Sequence, residues 1–86
     1  MNCWSLAPQE VTPESGSFTA MNEVVITTAA LDALGEESLL GAIGLLARHG
    51  ITRKLDYFQV LLGADGTRLY AVDDDGRVTL MLPEDW

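Results

Sequence analysis

The chain has 86 residues, enough for one small domain, and its 48% apolar content excludes wholesale disorder. Thirteen acidic residues against five basic ones leave a net charge of −8, which disfavours direct binding to nucleic acid or to an anionic membrane surface. A single cysteine, Cys3, excludes an internal disulfide framework, so the expected setting is reducing and cytoplasmic.

Residues 1–17 mix Pro, Ser, Gly and Glu without a period and read as a flexible N-terminal arm. Residues 18–86 then form a single small domain. No basic region followed by an apolar core opens the chain, and no apolar run approaches the roughly 20 residues of a membrane span. Within residues 18–26, the run Glu23-Val24-Val25-Ile26 is β-prone and offers an additional strand.

Thr27 or Thr28 can cap a short helix, Ala29–Leu34, which Gly35 stops. The long helix is predicted from Glu36 to His49. Glu36 and Glu37 suit its positive end, Arg48 and His49 its negative end, and Gly50 reads as the stop with Ile51 making the accompanying apolar contact. Residues Glu37, Gly41, Gly44 and Arg48 are spaced 4, 3 and 4 and lie along one line of this helix. Two interior glycines, each costing up to about 1 kcal/mol against alanine, ask for a reason. One is close approach to a neighbouring backbone inside the fold. The other is packing against a second copy, which makes Gly41 and Gly44 a candidate dimer interface.

Two Asp-Gly pairs, Asp65-Gly66 and Asp75-Gly76, mark hairpin turns in the last third of the chain. Strands are predicted over 57–62, 67–72 and 77–82, with four-residue loops at 63–66 and 73–76. That register gathers Phe58, Val60, Leu62, Thr67, Leu69, Ala71, Val78, Leu80 and Leu82 on one face, for the long helix to cover. The other face holds Tyr57, Gln59, Leu61, Arg68, Tyr70, Val72, Arg77, Thr79 and Met81. Tyr, Arg and Met are types enriched at protein interfaces. The expected fold class is therefore α+β: a short and a long helix on a three-stranded antiparallel meander, with residues 18–26 as the candidate fourth strand.

No pattern supports catalysis or a cofactor. One Cys and one His, 46 positions apart, have no zinc-ligand spacing. Asp73-Asp74-Asp75-Gly76 lacks the later ligands of a calcium loop and reads as an acidic turn. Cys3 has no neighbouring base, and no Gly-rich phosphate loop occurs. Short helix, long helix and hairpin follow the order of a winged helix-turn-helix, but the long helix carries one Arg and the turns are acidic.

What remains is a non-enzymatic module expected to dock on a protein with a basic, nucleic-acid-binding surface. Asp65, Asp73, Asp74 and Asp75 would supply charged contacts, and Tyr57, Arg68, Tyr70 and Met81 contact area. In its short length, acidity and lack of motifs the chain resembles the small inhibitor proteins of mobile elements, such as anti-CRISPR and antirestriction proteins. That resemblance is one of type and implies an inhibitor. The second reading is a homo-oligomeric structural or accessory protein, joined through the open sheet face or the Gly41/Gly44 stripe.

Overall fold

The computed structural model describes residues 4–9, 16–52 and 54–86. The elements in chain order are β1 (Ser5–Leu6), β2 (Glu23–Ile26), α1 (Thr28–Leu34), α2 (Glu36–Thr52), β3 (Phe58–Leu62), β4 (Arg68–Asp74), β5 (Arg77–Met81) and a terminal 3-10 turn, Pro83–Asp85. Together they make an α+β fold with a five-stranded mixed sheet of order β1-β3-β4-β5-β2. The meander β3-β4-β5 is antiparallel, as expected. The segment 18–26 does supply a strand, but β2 runs parallel to β5, and β1 adds a further antiparallel strand beside β3.

The two Asp-Gly turns differ in length, and this corrects the predicted register. Asp74 pairs with Arg77, so the β4–β5 loop is only Asp75-Gly76. Both residues have positive φ, 52° and 91°, as a two-residue type I′ turn requires. Against the predicted four-residue loop this shifts pairing by two, and the inward residues stay inward. In the β3–β4 turn the Gly63 N–H donates to Thr67 O at 2.8 Å, and the Gly66 N–H to Gly63 O at 3.1 Å. Gly66 has φ 90°, the left-handed position that closes a three-residue loop. Here pairing shifts by one, so Leu61 meets Leu69 and Val60 meets Tyr70. An odd shift exchanges the faces of β3. Gln59 and Leu61 point to the core, while Phe58, Val60 and Leu62 lie on the open side.

One side of the sheet is packed. Leu39, Ala42, Leu45 and Leu46 of α2 join Ala30 of α1 and Leu61, Leu69, Ala71, Val78 and Leu80 of the sheet in one buried cluster. Each fully buried Leu contributes about 2 kcal/mol of transfer free energy. α1 is capped by Thr27, whose Oγ1 accepts the Ala30 N–H at 3.2 Å. Gly35, at φ 83°, lets the chain turn from α1 into α2.

Gly50 does not stop α2, which continues to Thr52. Its role is space: a Cβ there would lie 2.2 Å from the Phe18 carbonyl oxygen. Phe18 is buried to 1% exposure with φ 63°, unusual for a side chain of its size. Gly44 is different. A Cβ there meets nothing within 4 Å, so close intramolecular packing does not explain it.

The predicted arm is placed in part. Ser5 and Leu6 pair with Leu62 and Leu61 on the free edge of β3, and the Trp4 Nε1–H donates to Ser38 O of α2 at 2.9 Å. Ser17 bridges to Leu55. Residues 1–3 and 10–15, Cys3 among them, and Arg53 lie outside the described residues.

The two glycines of α2 should respond oppositely to alanine. Gly50→Ala should lose more than about 3 kcal/mol, because backbone must move, whereas Gly44→Ala should gain up to about 1 kcal/mol. Urea unfolding of both variants measures the contrast.

Candidate interaction face

The open side of the sheet is built from alternate residues of β2 to β5. In one row across the strands lie Val60, Tyr70 and Met81; in the next lie Phe58, Val72, Thr79 and Val25. Leu62 stands opposite Arg68 at one end, and Asp74 opposite Arg77 and then Glu23 at the other. An ion pair between Arg77 and Glu23 closes that end. The helices pack on the opposite side, and the residues of these two rows are half-buried, with Val25 exposed.

Three rings lie together on this face. Phe58 and Tyr70 have centroids 5.0 Å apart at 64°, and Trp86 meets Phe58 at 4.9 Å and 69°. Edge-to-face pairs of this kind contribute about 0.5–1.5 kcal/mol beyond their area. β2 and β5 run parallel and end at the same end of the sheet. There Asp85 Oδ2 accepts the Thr27 hydroxyl at 2.9 Å and the Leu82 N–H at 3.2 Å. The 3-10 turn is thereby tied to the β2–α1 junction, and Trp86 folds back while staying 68% exposed.

At the start of β3 a polar clasp joins the N-terminal segment to the sheet. Gln9 Oε1 accepts from the Asp56 N–H and from Gln59 Nε2, both at 3.0 Å, and Gln9 Nε2 donates to Lys54 O at 2.8 Å. Gln59 Nε2 also donates to Asp56 O at 3.0 Å. A side chain that is only 3% exposed thus has partners for its buried amide. Ala7, Pro8 and Gln9 run beside β3 and form one wall of a groove whose other walls are Tyr57, Phe58 and Trp86.

The predicted contact residues divide. Tyr70, Met81 and Arg68 lie on the open face as read from the sequence, and Tyr57, 55% exposed, precedes β3 at the groove. The four acids do not form one patch. Asp65 sits at the β3–β4 turn and Asp73, Asp74 and Asp75 at the other end of β4, which spans roughly 20 Å. Asp73 is occupied structurally: its Oδ2 accepts the Phe18 N–H at 2.8 Å and its Oδ1 the Gly76 N–H at 2.9 Å. Asp65 caps its own turn, its Oδ1 accepting the Thr67 N–H at 3.0 Å. The Thr67 hydroxyl and then the Thr67 N–H hold its carboxyl below the ordinary value. Asp74 and Asp75 remain exposed. Gly41 and Gly44 are exposed on α2, flanked by Leu40 and Ile51 at 59% and 78% exposure.

Phe58, Val60, Leu62, Val25 and Trp86 are face residues that the sequence reading did not assign to it. The available signal was the extra Gly63 before Ala64-Asp65-Gly66. Among the described residues no group of three or more His, Cys, Asp or Glu side chains could hold a metal ion, and no helix is long and apolar enough to cross a membrane. Comparison with protein-family models, curated proteins and solved structures found no match, so function is argued from this geometry.

Two acids should separate by role. Asp73→Ala should lose about 1–3 kcal/mol of stability through its two backbone donors, and Asp74→Ala less than about 0.5. Asp65 should act through pH. Its lowered carboxyl stabilises the fold at neutral pH, and that contribution is lost as pH falls through the lowered value. Asp65→Asn should therefore be less stable than the parent at pH 7, with the difference shrinking in acid, as urea titrations at both pH values would measure.

Proposed function

We propose that this protein is a non-enzymatic binding module whose open sheet face docks on a basic surface of another protein. The observation that carries this reading is the composition of that face. Val25, Phe58, Val60, Leu62, Tyr70, Val72 and Met81 lie side by side on the side away from the helices, Val25 exposed and the others half-buried, with Trp86 against Phe58 and Tyr70. Contiguous apolar surface of this kind marks interaction sites, and its aromatic and Met content matches the cores of protein interfaces. The charge supplies the sign of the partner. At −8 the chain attracts a basic surface and speeds encounter with it, with Asp74, Asp75 and Glu84 exposed around the sheet.

A nucleic-acid-binding protein offers such a basic surface, and occupying it blocks the nucleic acid. The role that fits is that of an inhibitor, of the type seen in small anti-CRISPR and antirestriction proteins. A second reading is favoured by a separate observation: Leu40, Gly44 and Ile51 are exposed along α2, which suits a two-fold contact between copies.

Val72→Lys and Met81→Lys should each weaken partner binding by at least about tenfold while leaving the far-ultraviolet spectrum unchanged, because a lysine is unfavourable against an apolar, basic contact. Gly44→Ala should leave binding unchanged. Capture from the native host with parent and variant baits, then titration of the identified partner, measures this. A dimer in sedimentation that Ile51→Glu dissolves, with no partner lost on Val72→Lys, would favour the oligomer.

A further inference from the structure

The groove at the start of β3 combines features that an open apolar face does not. It is a half-open cleft of about 530 Å³ between Ala7-Pro8 on one side and Tyr57, Phe58 and Trp86 on the others. That is room for one long side chain and its backbone. The one acidic residue lining it is Asp56. Asp56 Oδ1 accepts the Tyr57 N–H at 2.8 Å, and Oδ2 has no hydrogen bond among the described residues. The Asp56 backbone is held by two glutamines, its N–H donating to Gln9 Oε1 and its carbonyl accepting from Gln59 Nε2.

We infer that this groove is a receptor for an arginine side chain of the partner, stacked on the aromatic rings with its guanidinium at the Asp56 carboxylate. The inference rests on the protein-binding reading above and names the residue that reading requires at this end of the face. Three physical arguments select arginine. Aromatic faces attract cations, with Trp the strongest. A guanidinium is planar, so it stacks on a ring while donating along its edge to a carboxylate, which an ammonium does not do. The chain carries a net charge of −8, and Asp56 is the charged residue that lines the groove. A neutral proline-rich segment could fill the same shape but would leave Asp56 unpaired.

The test is an NMR titration of the full chain with a capped Gly-Arg-Gly tripeptide, alongside Gly-Lys-Gly and triglycine. Saturable shifts are expected at the Trp86 indole N–H and the amides of Asp56 to Phe58 with the arginine peptide. The lysine peptide should bind at least about fivefold more weakly, since it lacks the stacked fork. Asp56→Asn keeps the oxygen that accepts the Tyr57 N–H, and should weaken the arginine peptide by about tenfold through loss of charge. Trp86→Ala should abolish saturation, and Trp86→Phe should retain part of it. Absence of saturable shifts, equal shifts with triglycine, or equal affinity for lysine would each overturn the assignment. The two readings fail separately. If the tripeptide does not bind while partner capture still depends on Val72, the groove assignment alone falls. If the tripeptide saturates while capture ignores Val72, the sheet-face reading alone falls.

Discussion

The turn between β3 and β4 contains three residues, and the rest of the molecule's surface chemistry depends on that odd number. The Gly63–Thr67 pair and the positive φ of Gly66 set the register, and side chains on a strand alternate strictly. With Leu61 opposite Leu69, β3 sends Gln59 and Leu61 inward and Phe58, Val60 and Leu62 outward. An even loop would put three apolar side chains under α2 and expose two residues of mixed character. The observed loop instead leaves a broad apolar surface facing away from the helices.

Sending Gln59 inward carries an electrostatic requirement, since an unpaired buried amide is unfavourable by about 1–3 kcal/mol. Gln9 and the Asp56 carbonyl meet it. The N-terminal segment therefore does three things at once. It supplies the partner of a buried polar group, it covers the free edge of β3 through Ser5 and Leu6, and it builds one wall of the aromatic groove. A second polar anchor works at the other end. Asp73 holds the Phe18 backbone in its left-handed conformation, and Gly50 makes room for it, so the Phe18 ring is buried at the end of α2.

The sequence was most readable where one local signal admitted one geometry. Asp75-Gly76 marks the β4–β5 hairpin and keeps the faces of both strands, although the turn is a two-residue type I′ rather than the predicted four-residue loop 73–76. The Glu-rich start of α2 and its Leu pattern are equally legible, as is the α+β class. Asp65-Gly66 is the same dipeptide with a different outcome, because it forms the last two positions of a three-residue loop. Nothing in β3 distinguished the two registers by hydrophobicity, since Phe58, Val60, Leu61 and Leu62 are all apolar. Gln59, the one polar residue between them, pointed the wrong way because its partner lies 50 positions earlier in the chain. Gly50 misled for a similar reason: a glycine after His49 looks like a helix stop, and only the approach of Phe18 gives it another purpose. The open face inherited these limits. Tyr70, Arg68 and Met81 keep the predicted face because β4 and β5 keep their parity, whereas Phe58, Val60 and Leu62 of β3 exchange theirs.

The central claim is that the face opposite the helices is the surface a partner covers. Site-specific photo-crosslinking in the native host tests it directly, with a benzophenone side chain placed at Val60 or Val72 on the open face and at Gly44 on α2. The account predicts one crosslinked protein, the same from both sheet positions, and none from Gly44. Crosslinking from Gly44 with none from Val60 or Val72 would contradict it.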